Sequence, residues 1–159
     1  MAVAFTISEN GLLEKATFSD EAGIVIPEGV RNIGDGEFCE AVALEDLILP
    51  DGIRAIGDGA FAHCDWLARV RIPDGVTVIG DKAFYDCYSL REVILPEGVT
   101  TIGDYAFADC NQLSNAVLPQ SVTHIGDRAF GWCESLTIQV QSGSYAHRYA
   151  AENDIKFEI

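Results

Sequence analysis

A 23-residue period, repeated in five consecutive copies without an insertion or deletion, dominates the sequence. Each copy reads Pro-x-(Gly/Ser)-(Val/Ile)-x-x-Ile-Gly-Asp-x-(Ala/Glu)-Phe, from Pro27, Pro50, Pro73, Pro96 and Pro119, which are the chain's only prolines. Asp35, Asp58, Asp81, Asp104 and Asp127 follow glycine at the same step, and Phe38, Phe61, Phe84, Phe107 and Phe130 follow in turn. Strict periodicity of this kind is the mark of stacked coils, each contacting only its neighbours, rather than a globule around a central pocket. The architecture therefore favours recognition on an outer surface over chemistry in a cleft.

Within one coil the pattern assigns local structure. Val70 and Ile72 alternate with Arg69 and Arg71, as in a strand with one face buried. Pro73 ends that strand because it has no amide to donate, and Pro73-Asp74-Gly75 forms a tight turn. Val76 and Ile79 point inward across a second short extended stretch. Gly80 permits a bend, Asp81 is placed to cap the turn that follows it, and Ala83 and Phe84 enter the core from a helical or 3₁₀ turn. Cys87 and Leu90 close the coil before the next strand begins at Val93.

The flanks read as caps. Phe5 to Leu13 form a hairpin in which Asn10-Gly11 supplies a type I′ turn. Ser144 is positioned to cap a helix running to Asn153, with Ala146, Tyr149 and Ala150 on one face. Ile155, Phe157 and Ile159 alternate as a last strand.

With these residues in view, the chain resembles the BspA-like class of bacterial leucine-rich repeats. Its pattern, Leu-x-x-(Val/Leu)-x-(Leu/Ile)-Pro-x-x-(Val/Ile)-x-x-Ile and then Ala-Phe-x-x-Cys, is followed from about Ile24 to Leu136. Cys39 departs from it by standing two places early, with Ala41 at the usual cysteine site. The fifth copy has Gln120-Ser121 where the others carry an acid and glycine, and Leu136-Thr137-Ile138-Gln139-Val140 is one residue short of the regular spacing. The expected fold is a single leucine-rich-repeat solenoid over 1–159: an N-terminal hairpin cap at 1–23, repeats with a parallel strand ladder and short 3₁₀ or helical turns at 24–136, and a helix-plus-strand cap at 137–159. The resemblance implies a noncatalytic adhesion or protein-interaction module, secreted or on the bacterial cell surface. The start Met1 to Phe5 lacks the basic and apolar stretches of an export signal, so the chain either stays in the cytoplasm or has had a leader replaced.

Charge narrows the partners. Ten Lys and Arg against twenty-five Asp and Glu leave a formal charge of −15, which repels nucleic acid and favours a basic protein partner. The apolar runs are too short for membrane insertion. The sequence provides no catalytic set, no cofactor motif and no metal-ligand cluster. Cys64, Cys87, Cys110 and Cys133 recur at one place in the coil, so they point the same way and do not converge as zinc requires; a buried thiol ladder is the expectation, with Cys39 the reachable one. The acidic row Glu28, Asp51, Asp74 and Glu97 lacks the ring of oxygens that calcium needs. His63, His124 and His147 fall at unrelated positions.

Positions the repeat leaves free are the candidate contacts. Val25, Ile48, Arg71, Ile94 and Val117 share the outward row of the strand ladder, and Asp46, Arg69, Glu92 and Asn115 border it. Such an apolar strip with a charged rim marks a contact surface on the concave strand face, or reflects only the β-propensity of branched residues. Trp66 stands where other coils carry Ala43, Ser89, Gln112 and Ser135, and Trp132 where they carry Glu40, His63, Asp86 and Asp109. Together with Tyr85 and Tyr88 these rings offer either binding hot spots or packing against an adjacent coil. A carbohydrate-binding module using Trp66, Tyr88 and Trp132 is the alternative function, and a passive structural spacer is a second. Complete caps favour a monomer, whereas an exposed apolar strip favours a weak homodimer.

Overall fold

The computed structural model describes residues 4–17 and 22–159. Met1–Val3, part of the segment read for a leader, lies outside these. Two ladders run along the stack. One contains β3 (Gly23–Val25), β5 (Asp46–Ile48), β7 (Arg69–Val70), β9 (Glu92–Ile94), β11 (Asn115–Val117), β13 (Thr137–Gln139) and β14 (Lys156–Glu158), in that spatial order. The other runs β1 (Ala4–Ile7), β2 (Leu12–Thr17), β4 (Asn32–Ile33), β6 (Ala55–Ile56), β8 (Val78–Ile79), β10 (Thr101–Ile102) and β12 (His124–Ile125). Every pairing is parallel except that of β1 with β2. The second extended stretch of each coil is thus a ladder in its own right.

The third side of each coil is made of turns. Successive i to i+3 bonds, such as Tyr85 N to Lys82 O at 3.0 Å and Leu90 N to Cys87 O at 3.1 Å, give it a 3₁₀-like path. Two residues per coil break that path with positive φ. The first position holds Gly36, Gly59, Lys82, Tyr105 and Arg128, and the second holds Glu40, His63, Asp86, Asp109 and Trp132, with φ from 48° to 65°. At the second position His63, Asp86 and Asp109 are of types that visit the left-handed backbone, but Glu40 and Trp132 are not, and L-residues adopt it at a cost of roughly 1–2 kcal/mol. The compensation lies between coils. His63 N donates to Tyr85 O and Lys82 N to Asp104 O, both at 2.8 Å, so amides turned outward from one coil are satisfied by the next.

The core is a set of columns. Phe38, Phe61, Phe84, Phe107 and Phe130 stack with centroids 5.2–5.3 Å apart and planes within 15° of parallel. Tyr149 closes the column edge-on at 6.5 Å. It projects from α1 (Tyr145–Glu152), where Ser144 caps the first turn by accepting the His147 amide, and where Ala146, Tyr149 and Ala150 are buried. That cap matches the reading of the sequence. The N-terminal turn does not. Only Gly11 takes a positive φ, Gly11 N bonds Ser8 O at 3.0 Å, and the register slips between Thr6 and Ile7. The loop is therefore a type I turn closed by a glycine bulge rather than type I′, since the latter requires both central residues in the left-handed region. β2 then joins β4 in parallel, placing Leu13 beside Ile33, so the hairpin also supplies the first rung of the second ladder.

The repeat-locked Gly-Asp pair also works differently from its expected role. Oδ1 of Asp35 accepts the amide of Asp58 at 2.9 Å, and the bond recurs from Asp58 to Asp81, Asp81 to Asp104 and Asp104 to Asp127 at 2.7–2.8 Å. Each carboxylate caps the next coil rather than its own turn. Glycine precedes it because a Cβ on Gly80 would lie 2.5 Å from Asp58 Oδ1 and 2.7 Å from the Gly57 carbonyl carbon.

Candidate functional site

The outward row of the first ladder carries the candidate surface. Val25, Ile48 and Ile94 are 62%, 59% and 55% exposed, although each lies between buried neighbours. Val25 stands in register with Ile48, and Ile94 with Val117. Val117 is half-buried, in a depression shared with Leu95, Gln139, Val140 and Ile159. The strip is therefore sharpest over Val25, Ile48 and Ile94.

Arg71 interrupts the row. β7 has two residues where its ladder neighbours have three; it pairs with β5 through Arg69 and Val70, and with β9 through Arg69 alone. Beside Arg71 the surface opens into a hollow of about 430 Å³ lined by Arg69, Ile72, Glu92, Ile94 and Pro96 among others. Arg69 and Arg71 reach Asp46 and Asp51 only at 3.9 Å, and all four side chains are largely exposed. Exposed ion pairs of that length contribute little to stability, leaving both guanidinium groups available to another molecule.

The aromatic candidates separate into two places. Trp66 and Tyr88, 62% and 50% exposed, line one hollow with Asp65, Asp86, Ser89 and Gln112. Trp132 lies elsewhere, with Arg128 5.4 Å above its ring and Tyr105 stacked at 6.2 Å, in a depression closed by α1 and the chain end. Tyr85 does not join Trp66. It meets His63 edge-on at 5.4 Å, and the neighbouring Asp109 carboxylate raises its phenol pKa. His63 in turn places Nδ1 3.1 Å from Asp86 Oδ2. His63 and Asp86 both occupy left-handed positions of their coils.

The thiols form the expected buried column. Cys64, Cys87, Cys110 and Cys133 are free and buried, whereas Cys39 is exposed. Each buried Sγ donates to a phenylalanine carbonyl one coil back, Phe38, Phe61, Phe84 and Phe107 respectively, at 3.1–3.2 Å. Burial pushes the Cys64 and Cys133 thiols up to about 12. Cys87 is raised by the adjacent Cys110 thiol and by burial. A protonated thiol held to a carbonyl is a poor nucleophile and a poor metal ligand.

Six copies of the BspA type leucine rich repeat region are matched across residues 13–137. The chain belongs to this family. The matched span begins at Leu13, on the strand that provides a rung before the first proline. Among solved structures it is similar to a leucine rich cell surface protein from Faecalibacterium prausnitzii A2-165, at 33% identity and TM-score 0.81 over 93% of this chain. A leucine-rich repeat protein from Bacteroides ovatus ATCC 8483 is 31% identical with TM-score 0.77 over 86% of the chain. The chain spans only 40% and 39% of those two structures. The leucine rich repeat protein of T. pallidum shares the fold over 98% of this chain and 95% of its own, with TM-score 0.71 at 24% identity. None of the curated proteins matches the sequence. Members of this family are typically surface and interaction modules, and the repeat is generally non-enzymatic. No helix among the described residues is long and apolar enough to cross a membrane.

Proposed function

We propose that this domain is a noncatalytic adhesion module of a bacterial surface or secreted protein that docks a protein partner on the outward face of its first ladder. The apolar row Val25, Ile48 and Ile94 carries the reading: large branched side chains more than half exposed, Val25 and Ile48 in direct register, with none of the described residues covering them. Asp46, Arg69 and Glu92 border the row and give it the charged rim that surrounds a dry contact, while Arg71 stands within it. A chain of charge −15 draws in a partner presenting a basic segment, with association that weakens as salt is added. The cell-surface description of the F. prausnitzii relative supports the compartment.

The test begins with a partner recovered from host or bacterial extracts and identified, followed by measurement of its affinity for the purified domain. Substituting Ile48→Lys together with Ile94→Lys abolishes binding while the circular dichroism spectrum stays unchanged. Binding that survives both changes removes this face from consideration. Absence of any saturable partner leaves the domain as a spacer.

A further inference from the structure

We propose that the hollow between Trp66 and Tyr88 is a binding subsite for a neutral pyranose sugar, separate from the apolar row. Both rings are surplus to the fold. At the position of Trp66 the other coils carry Ala43, Ser89, Gln112 and Ser135, and at that of Tyr88 they carry Val42, Asp65, Asn111 and Glu134. Among the described residues neither ring stacks on another aromatic, and both remain half exposed or more.

Their mounting is nonetheless fixed. Trp66 sits between buried Cys64 and Leu67, whose backbones are joined at 3.1 Å, and Tyr88 lies between buried Cys87 and Leu90, joined in the same way. Ser89 N donates to Asp65 O at 3.1 Å and Gln112 N to Tyr88 O at 3.3 Å, tying three consecutive coils beneath the hollow. The platform is therefore held by main-chain bonds, and no loop has to be ordered when a ligand arrives.

The remaining lining selects the ligand. Asp65, Asp86, Ser89 and Gln112 offer two carboxylates, a hydroxyl and a carboxamide, with no cation and no aliphatic side chain among them. A pyranose has one face of C–H groups for the rings and a rim of hydroxyls that both donate and accept. It matches both the rings and the hydrogen-bonding groups around them, and the opening of about 530 Å³ falls in the size range of small-ligand sites. Sugars bearing carboxylates are repelled by Asp65 and Asp86 and by the overall charge of −15. A basic peptide side chain is the lesser fit, because Asp86 already faces His63 at 3.1 Å and because the exposed faces of Trp66 and Tyr88 ask for more apolar surface than one such side chain brings.

The experiment titrates the full chain with maltotriose, cellotriose, mannotriose, xylotriose and N,N′,N″-triacetylchitotriose. The two tryptophan indole resonances are followed by NMR and assigned with Trp132→Phe. At least one neutral sugar shifts the Trp66 signal and leaves that of Trp132 in place. Trp66→Ala and Tyr88→Ala each weaken binding tenfold or more, whereas 0.5 M NaCl and the Ile48→Lys/Ile94→Lys pair leave it unchanged. That last comparison keeps the outcome independent of the proposed docking face. No response to any of the five sugars overturns the proposal. So does full affinity in Trp66→Ala, or a Trp66 signal that answers only to polylysine and disappears in salt.

Discussion

Asp58 and Asp81 are joined across a coil boundary by a 2.8 Å hydrogen bond from the Asp81 amide to the Asp58 carboxylate. The acceptor acts as a cap, but for a turn 23 residues further on. Removing it by Asp58→Ala costs about 1 kcal/mol, as deletion of a helix cap does. Asp58→Asn costs less, because the amide oxygen still accepts. Urea midpoints of the two variants measure the difference, and equal losses would point to charge rather than to the hydrogen bond.

The glycine before the aspartate tolerates no side chain. Its φ is ordinary, so the obstacle is space: the Cβ added by Gly80→Ala would meet Asp58 Oδ1 at 2.5 Å and the backbone of Gly57 and Asp58 at 2.7–2.8 Å. Prying two coils apart at that point costs roughly 1–3 kcal/mol or more, in line with other overpacked sites. Gly23→Ala is the control, since none of the described residues lies within 4 Å of its Cβ, and it leaves stability unchanged within about 0.5 kcal/mol. Thermal denaturation of the pair separates close approach from any general sensitivity of glycines.

Lys82 occupies a left-handed position, φ 55°, where the two preceding coils carry Gly36 and Gly59. Lys82→Gly relieves the steric cost of that backbone and keeps the amide that bonds Asp104 O. The greater freedom of glycine in the unfolded chain offsets part of the gain, leaving about 0.5–1 kcal/mol of added stability. A lower denaturation midpoint would show that the Lys82 side chain, 6.0 Å from the Tyr105 ring, contributes more than the strain costs.

Alkali should loosen the stack through its thiols. Their ordinary pKa is 9.0, and Cys64 and Cys133 are pushed up to about 12 in the folded chain. Between these values the unfolded chain has released protons that the folded chain still holds. Stability is therefore intact below about pH 9 and declines toward pH 12, by roughly 1.4 kcal/mol per pH unit for each such thiol. Urea titrations under reducing conditions from pH 7.5 to 10.5 read the slope, and Cys64→Ala flattens it. In native protein at neutral pH, Cys39 alone should react with a thiol reagent, slowed because partial burial and the neighbouring Glu40 raise its pKa, and all five cysteines should react once urea is added.

Much of this was legible in the sequence because the repeat multiplies every signal five times. One strand could be misread, but a column of Phe38, Phe61, Phe84, Phe107 and Phe130 could not, and its stacking at 5.2–5.3 Å follows directly from a constant period. The cap on α1 was equally open, since a serine before an amphipathic stretch has few other uses. The Asp58–Asp81 bond was hidden because a capping residue reads locally, and only the stack reveals that the nearer amide belongs to another coil. The left-handed residues were hidden for a related reason. Glu40 and Trp132 are not types that favour this backbone, and in Glu40, His63, Asp86 and Asp109 what holds it is a carbonyl in the following coil. Separation of Trp66 from Tyr85 is a result of that same geometry.

The five places held by Glu40, His63, Asp86, Asp109 and Trp132 share one backbone shape, and four of them secure it through amide bonds to the following coil. Because the shape is enforced by main-chain atoms, the side groups along that edge can be exchanged singly without disturbing what lies beneath. The stack behaves like a printing block whose type is set apart from its frame. New specificity can be written there one letter at a time, and the folding problem does not have to be solved again.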